Sequence, residues 1–373
     1  MTARISLRPG LNRLRTWLRA LCGAPRHRQG GVRATRWREP VWLLLAFSLP
    51  LLGLPFAGNG GAGHCEFVRA LAAPGTVRRL VSAQGAGLPA VYVVVEHWGV
   101  FRSPDGGHTW LPANCLPRAA LGRVDVSALA LSPDDPATLL ATIADPSAGW
   151  PAVYKTSDGG LTWVARRGLD APAAEALAIG PRNLVYAARS SRLFRSTDGG
   201  DTWLEAGSRP GASRVLAMAL DRISGSLYIG TEADGLWLTA DQGTSWSVAL
   251  PGRSVHTIVD AGNGLVYAGA SDGLYCSDDR GASWQALSTP GLPGGVSALA
   301  VSAGPPDRVF VSINGRPVHL SHDAGESWQA VPGLPPGDSV TALVADPLSP
   351  EHLYVGTSKG LWRCRLPPPD DAR

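Results

Sequence analysis

The chain has 373 residues, with 45 Gly and 31 Pro, and is long enough to bury a sizeable core without help from disulfides or metals. Long charged helical stretches are absent and short β-branched runs recur, which argues for an all-β body with many turns. Of the net charge of +4, residues 1–40 carry +9 (ten Arg against Glu39), so the remainder sums to −5; a nucleic-acid footprint needs a basic face on the folded part, and none is expected here.

In chain order, residues 1–40 read as an Arg-rich cytoplasmic tail and residues 41–57 as an apolar segment. No charge lies between Glu39 and His64, and the stretch is just long enough to span a bilayer. Arginines on its N-terminal side alone place the N-terminus in the cytoplasm and everything beyond the short linker, residues 58–64, outside it. Two readings stand: a signal anchor, giving a single-pass membrane protein, or a signal peptide with a long n-region, giving a secreted one. A start near Val32, with cleavage after Ala57 or Ala62, would suit the second. A lipoprotein is disfavoured because His64, not a small residue, precedes Cys65.

The pattern Ser/Thr-x-Asp-x-Gly-x-Thr/Ser-Trp then organises the chain. It occurs six times, at Ser103–Trp110, Thr156–Trp163, Ser196–Trp203, Thr239–Trp246, Ser277–Trp284 and Ser321–Trp328. Its aspartates, Asp105, Asp158, Asp198, Asp241, Asp279 and Asp323, lie 53, 40, 43, 38 and 44 residues apart, the period of a four-stranded propeller blade. Each Asp is short enough to accept hydrogen bonds from its own turn, and the Gly permits positive φ. The hydroxyls tie the strand ends, and Trp110, Trp163, Trp203, Trp246, Trp284 and Trp328 return apolar surface between blades. Within a period, a first strand such as Val126–Leu131 or Val296–Val301 precedes a second such as Leu227–Gly230, then a third such as Gly235–Leu238.

After the sixth motif come three more strand-like runs, Val340–Val344, His352–Gly356 and Gly360–Cys364, without a fourth. The run Glu66–Leu71 resembles the fourth-strand run at the end of a motif, such as Trp284–Leu287. It is therefore expected to supply the missing outer strand of a seventh blade, closing a propeller over residues 65–366 and leaving residues 367–373 as a tail. Cys65 and Cys364 would then lie on adjacent antiparallel strands in an oxidising compartment. A Cys65–Cys364 disulfide, a Cys65–Cys115 disulfide and free thiols are the three readings; Cys22 belongs to the tail and Cys276 reads as a strand residue.

These hairpins resemble the Asp-box, or BNR, repeat over roughly residues 65–366. Families sharing it include sialidases, xyloglucanase-type glycoside hydrolases, sortilin-type receptors and photosystem II assembly factors. The resemblance implies an all-β, seven-bladed β-propeller of Asp-box repeats, preceded by an N-terminal membrane segment, and implies little about activity. In those families the box lies away from the functional face, so its aspartates read as structural.

A sialidase is disfavoured because the early Arg-Ile-Pro signature is missing and its tyrosines recur at one strand position, as packing does. A glycosidase needs two convergent carboxylates, for which Glu96, Asp145, Glu232, Asp234 and Asp272 are the candidates. The strings Gly269–Gly273 and Gly356–Gly360 match Gly-x-Ser-x-Gly but fall between strands, where a nucleophile elbow requires a strand entering a helix. No metal or cofactor is expected. The face of the second-to-third-strand turns carries Glu96, His97, Trp98, Trp150, Arg189, Arg192, Glu232, Asp234, Arg316 and Lys359, a mixture suited to a protein or glycan partner. The expected function is that of a monomeric, non-catalytic, extracytoplasmic scaffold, assembly-factor-like as one sub-case, with a carbohydrate-active hydrolase as the alternative.

Overall fold

The structure is a computed structural model that describes residues 64–71, 73–82, 90–113, 125–143, 153–166, 174–189, 191–209, 211–289, 294–302 and 308–367. The expected tail and apolar segment, Cys22, Cys115, Asp145 and Trp150 lie outside the described residues. Among the described residues no helix is long and apolar enough to cross a membrane.

Seven antiparallel sheets of four strands each account for all 28 described strands. Blades 1 to 6 occupy residues 77–112, 126–166, 176–208, 215–249, 255–287 and 296–330 in order. Blade 7 takes Val340–Ala345, His352–Thr357 and Gly360–Arg365, and its fourth strand is His64–Phe67. Each blade's first strand touches the first strand of the next, and that of blade 7 touches that of blade 1, so the ring is closed.

The second strand of each blade is packed on both faces, and its composition follows from that. Val91–Val95, Leu227–Thr231 and the buried part of His352–Thr357 are continuous apolar, β-branched or aromatic runs without alternation. A tyrosine recurs in these strands, and Tyr92, Tyr186, Tyr228, Tyr267 and Tyr354 are fully buried. They sit at seams between blades, as three of them show. Tyr228 of blade 4 donates to the Arg280 carbonyl in the blade 5 motif (2.9 Å), and Tyr267 of blade 5 to the Ala324 carbonyl in the blade 6 motif (3.1 Å). Tyr354 of blade 7 packs edge-on against Trp110 of blade 1, with ring centroids 6.2 Å apart.

All six motif hairpins fold identically. The Asp carboxylate accepts the backbone N–H of the residue four positions on, at 2.8–2.9 Å, and that residue's hydroxyl at 2.5–2.6 Å. The first hydroxyl of the motif donates to the same carboxylate and accepts the glycine N–H. The glycine is doubly constrained: Gly281 has φ +86°, and a Cβ there would meet Tyr228 Cε1 at 2.8 Å. The motif indoles reach the seams, where Trp110, Trp163 and Trp203 are buried and Trp246, Trp284 and Trp328 half-buried.

Blade 7 closes as a composite. His64, Cys65, Glu66 and Phe67 pair with Arg365, Cys364, Arg363 and Trp362, and Cys65 and Cys364 are joined in a disulfide. The added strand is shorter than the expected Glu66–Leu71. After Phe67 the chain leaves the edge, Val68 N–H is held by the Leu361 carbonyl at 2.9 Å, and Arg69–Leu71 form a 3-10 turn that tucks Leu71 into the core between blades 7 and 1.

Candidate functional site

Strand direction gives the ring two different ends. Inner-strand starts pair with second-strand ends, as Val77 does with Val95 and Val255 with Ala270, so the second-to-third-strand turns and the axial mouth share one end. The motif hairpins join third strands to fourth at the other.

At the axial mouth, six of the seven inner strands carry an irregularity at the same place. The register slips just after the first buried residue: after Val77, Val126, Val215, Val255, Val296 and Val340. One residue per blade is thereby left out of the ladder, namely Arg78, Ser127, Leu216, His256, Ser297 and Thr341. All six line one axial cavity of about 670 Å³. A bulge re-aims a side chain, and here six bulges aim a ring of side chains at the propeller axis. Arg79, Glu96, Asp125, Glu175 and Arg214 complete the polar part of the wall.

The three carboxylates of this wall are engaged. Glu96 pairs with Arg78, whose guanidinium holds its carboxyl below the usual range. Asp125 accepts the His97 backbone N–H at 3.1 Å and lies 3.0 Å from the same residue's ring nitrogen Nδ1. Glu175 accepts the Val215 N–H at 2.9 Å. The cations differ. Burial lowers the pKa of Arg79, and the neighbouring Arg214 charge lowers it further. Among the described residues the ion pairs account for Arg78 but include neither Arg79 nor Arg214.

The residues singled out from sequence are spread over this end of the ring. Among the described ones Glu96 alone lines the axial cavity, with His97, in a left-handed conformation (φ 63°), beside it at the rim. Trp98 is half-buried against the core between blades 7 and 1. Arg189 and Arg192 face each other across the blade 3 hairpin, and Arg192 forms a two-pronged ion pair with Glu205 at 2.9 Å. Glu232 is exposed. Asp234 accepts the Ser213 N–H and hydroxyl (3.0 and 2.6 Å) and pairs with the buried Arg209 at 3.1 Å, a clamp that holds the blade 3–4 connection. Arg316 lines a separate cleft of about 230 Å³ between blades 6 and 7, and Lys359 pairs with Asp338 on the wall of that cleft.

Of the described candidate acids, Glu96 lines the axial cavity and Glu232, Asp234 and Asp272 do not. The Ser213 hydrogen bonds hold Asp234 below the ordinary value. Asp272, although partly desolvated, is also held low by Arg253 and Tyr275. A general acid needs the opposite shift. Both Gly-x-Ser-x-Gly strings are strand–turn–strand connections.

Arg79, Asp125, Glu175, Arg214 and His256 were not singled out from the sequence. Their signal is positional: in six blades a buried Val opens the inner strand, and the residues flanking it reach the axis. The register slip behind this geometry leaves no compositional mark.

No family model matches the chain, and no curated protein sequence matches it. Solved structures do. A GH74 xyloglucanase from Xanthomonas campestris superposes with TM-score 0.66 at 20% identity, over 82% of this chain and 54% of that one. YCF48 bound to a D1 peptide superposes with TM-score 0.61 at 16% identity, over 84% of this chain and 99% of that one. The GH74 enzyme of Niastella koreensis gives 0.60 at 18%, over 78% and 43%. The chain thus spans about half the length of the two GH74 proteins and nearly all of YCF48. These likenesses show the fold, a seven-bladed β-propeller similar to those of GH74 enzymes and YCF48.

Proposed function

We propose that this chain is a non-catalytic binding scaffold of the Asp-box (BNR) propeller type, exported or anchored by residues 41–57, that engages a protein partner at its axial end. The observation that carries the reading is the ring of six bulged residues around one open, polar cavity, an arrangement suited to contact rather than to proton transfer. YCF48, a propeller of the same size, was solved with a peptide bound, which supports a protein segment as the ligand. A carbohydrate-active hydrolase is the second reading, favoured by the likeness to GH74 enzymes. Glu96, Asp234 and Asp272, each committed to a basic or hydroxyl partner, weigh against it.

Crosslinking pulldown of the full chain from membranes tests the proposal. Replacing Arg192, Glu232 and Arg316 together is expected to abolish recovery of a stoichiometric partner, and replacing the exposed Leu161 and Leu204 at the other blade ends is expected to leave it intact. Equal recovery from both variants would remove the axial end from consideration. Hydrolysis of aryl-glycosides, lost on Glu96→Gln, would establish the second reading instead.

A further inference from the structure

We propose that the end of the ring carrying the motif hairpins docks on a lipid bilayer, leaving the axial end free for its partner; this rests on residues 41–57 being a membrane anchor. Four Leu or Ile side chains among the described residues are more than half exposed: Leu161 (62%), Leu204 (69%), Ile223 (56%) and Leu348 (52%). All four lie at the motif end. Leu161 is in the blade 2 motif hairpin and Leu204 opens the outer strand of blade 3, while Ile223 and Leu348 sit in the first-to-second-strand turns of blades 4 and 7. Exposed Leu111, Val164 and Val248 lie at or beside the start of an outer strand, at the same end. Among the described residues, the remaining exposed large apolar side chain is Phe67, placed toward the axial end, and Trp362 packs edge-on against it at 5.3 Å. Apolar side chains scattered singly over a surface mean little, but several gathered at one end mark a contact surface.

The way the chain enters the ring names the occupant. His64 pairs with Arg365, the last residue of a strand that starts from Gly360 at the axial end, so the chain joins blade 7 at the motif end. The Cys65–Cys364 disulfide fixes that entry point one residue later. From residue 57 to His64 the chain reaches roughly 25 Å at full extension, and a blade strand of about six residues is itself about 20 Å long. An anchored ring turned over would use almost all of that reach in climbing its own outer wall. The motif end is therefore the one presented to the bilayer, and its protruding leucines and isoleucine suit shallow insertion at the headgroup boundary. Exposed Arg182 and Arg222 are interspersed there with exposed Asp134 and Asp201, so the docking has no need of anionic lipid.

The test is hydroxyl-radical footprinting of the full chain in phosphatidylcholine nanodiscs and in detergent. Leu161, Leu204, Ile223 and Leu348 are expected to be oxidised roughly threefold or more slowly in nanodiscs, while His97 and Trp98 at the axial end react equally in both. The double variant Leu204→Ser/Ile223→Ser should lose the protection of Leu161 and Leu348, and high salt should leave wild-type protection intact. A melting curve of the variant checks its fold. Equal oxidation of the four in nanodiscs and detergent, or protection that survives the double variant, would overturn the docking. Slower oxidation of His97 and Trp98 instead would overturn it and the axial binding face together. Protection in detergent that grows with protein concentration would mark contact with a second copy and also overturn it. So would a mature chain that begins after Ala57 or Ala62, which has no tether. A partner still recovered through the axial end, with the four side chains unprotected, would sink the docking alone and leave the binding face standing.

Discussion

Cys65 and Cys364 stand directly opposite one another in the strand pair that completes blade 7, bonded across 299 residues of chain. The closure of the ring is thus held by a covalent bond as well as by four paired residues. A cross-link over so long a loop restricts the unfolded chain severely, and native disulfides contribute about 2–4 kcal/mol. Reduction, or Cys65→Ser with Cys364→Ser, should lower Tm by roughly 5–10 °C and release the His64–Phe67 edge first. Calorimetry, with hydrogen exchange at Glu66 and Phe67, checks this.

Gly281 carries two constraints that a methyl group would violate together, a positive φ and the Tyr228 ring of the neighbouring blade. Gly281→Ala should cost about 2–3 kcal/mol. Gly252 also has positive φ, but nothing lies within 4 Å of its would-be Cβ. Gly252→Ala should cost only the backbone strain, about 1 kcal/mol. Denaturant melts of the two variants separate seam packing from conformation.

The motif aspartates set the acid limit of the fold. Hydrogen bonds from Ser245 and Ser283, each through hydroxyl and N–H, hold Asp241 and Asp279 down from 3.8 to about 2. An acid whose folded pKa is depressed stabilises the fold above its unfolded pKa, and that contribution is lost as pH falls through the folded value. Stability should therefore be flat with respect to these groups down to about pH 4 and fall between about pH 4 and pH 2. In Asp241→Asn with Asp279→Asn the slope in this window should be shallower and the neutral-pH stability lower, as followed by tryptophan fluorescence on acid titration.

Asp234 faces the binding end but supports the fold. Removing it leaves the Arg209 guanidinium, 1% exposed, without its carboxylate. Asp234→Ala should destabilise by about 2–3 kcal/mol, whereas Glu232→Ala, two residues away and exposed, should stay within about 0.5 kcal/mol. Equal melting temperatures for the two variants would contradict the clamp.

Arg79 and Arg214 make the converse case. Removing one of two like charges relieves repulsion, so Arg214→Gln should raise stability slightly at low ionic strength, by less than about 1 kcal/mol, and the gain should vanish in high salt. A matched pair of scanning-fluorimetry curves at two salt concentrations reads the sign.

The sequence by itself determined the blade count, the split seventh blade and the chemistry of the hairpins. Each of those features is local or periodic: an Asp bonding its own turn at Asp105, a motif indole repeated in six blades, an unfinished final repeat matched by Glu66 and Phe67 at the front. Only the tertiary structure decided which side chains meet on the axis. Arg79 and Arg214 are separated by more than two blades of sequence. They converge because a bulge after Val77, another after Val215 and the curvature of a closed ring turn both toward the same cavity. For the same reason Trp98 and Asp234, conspicuous in the sequence as turn residues, proved to be held by the fold: burial depends on what the neighbouring blade brings.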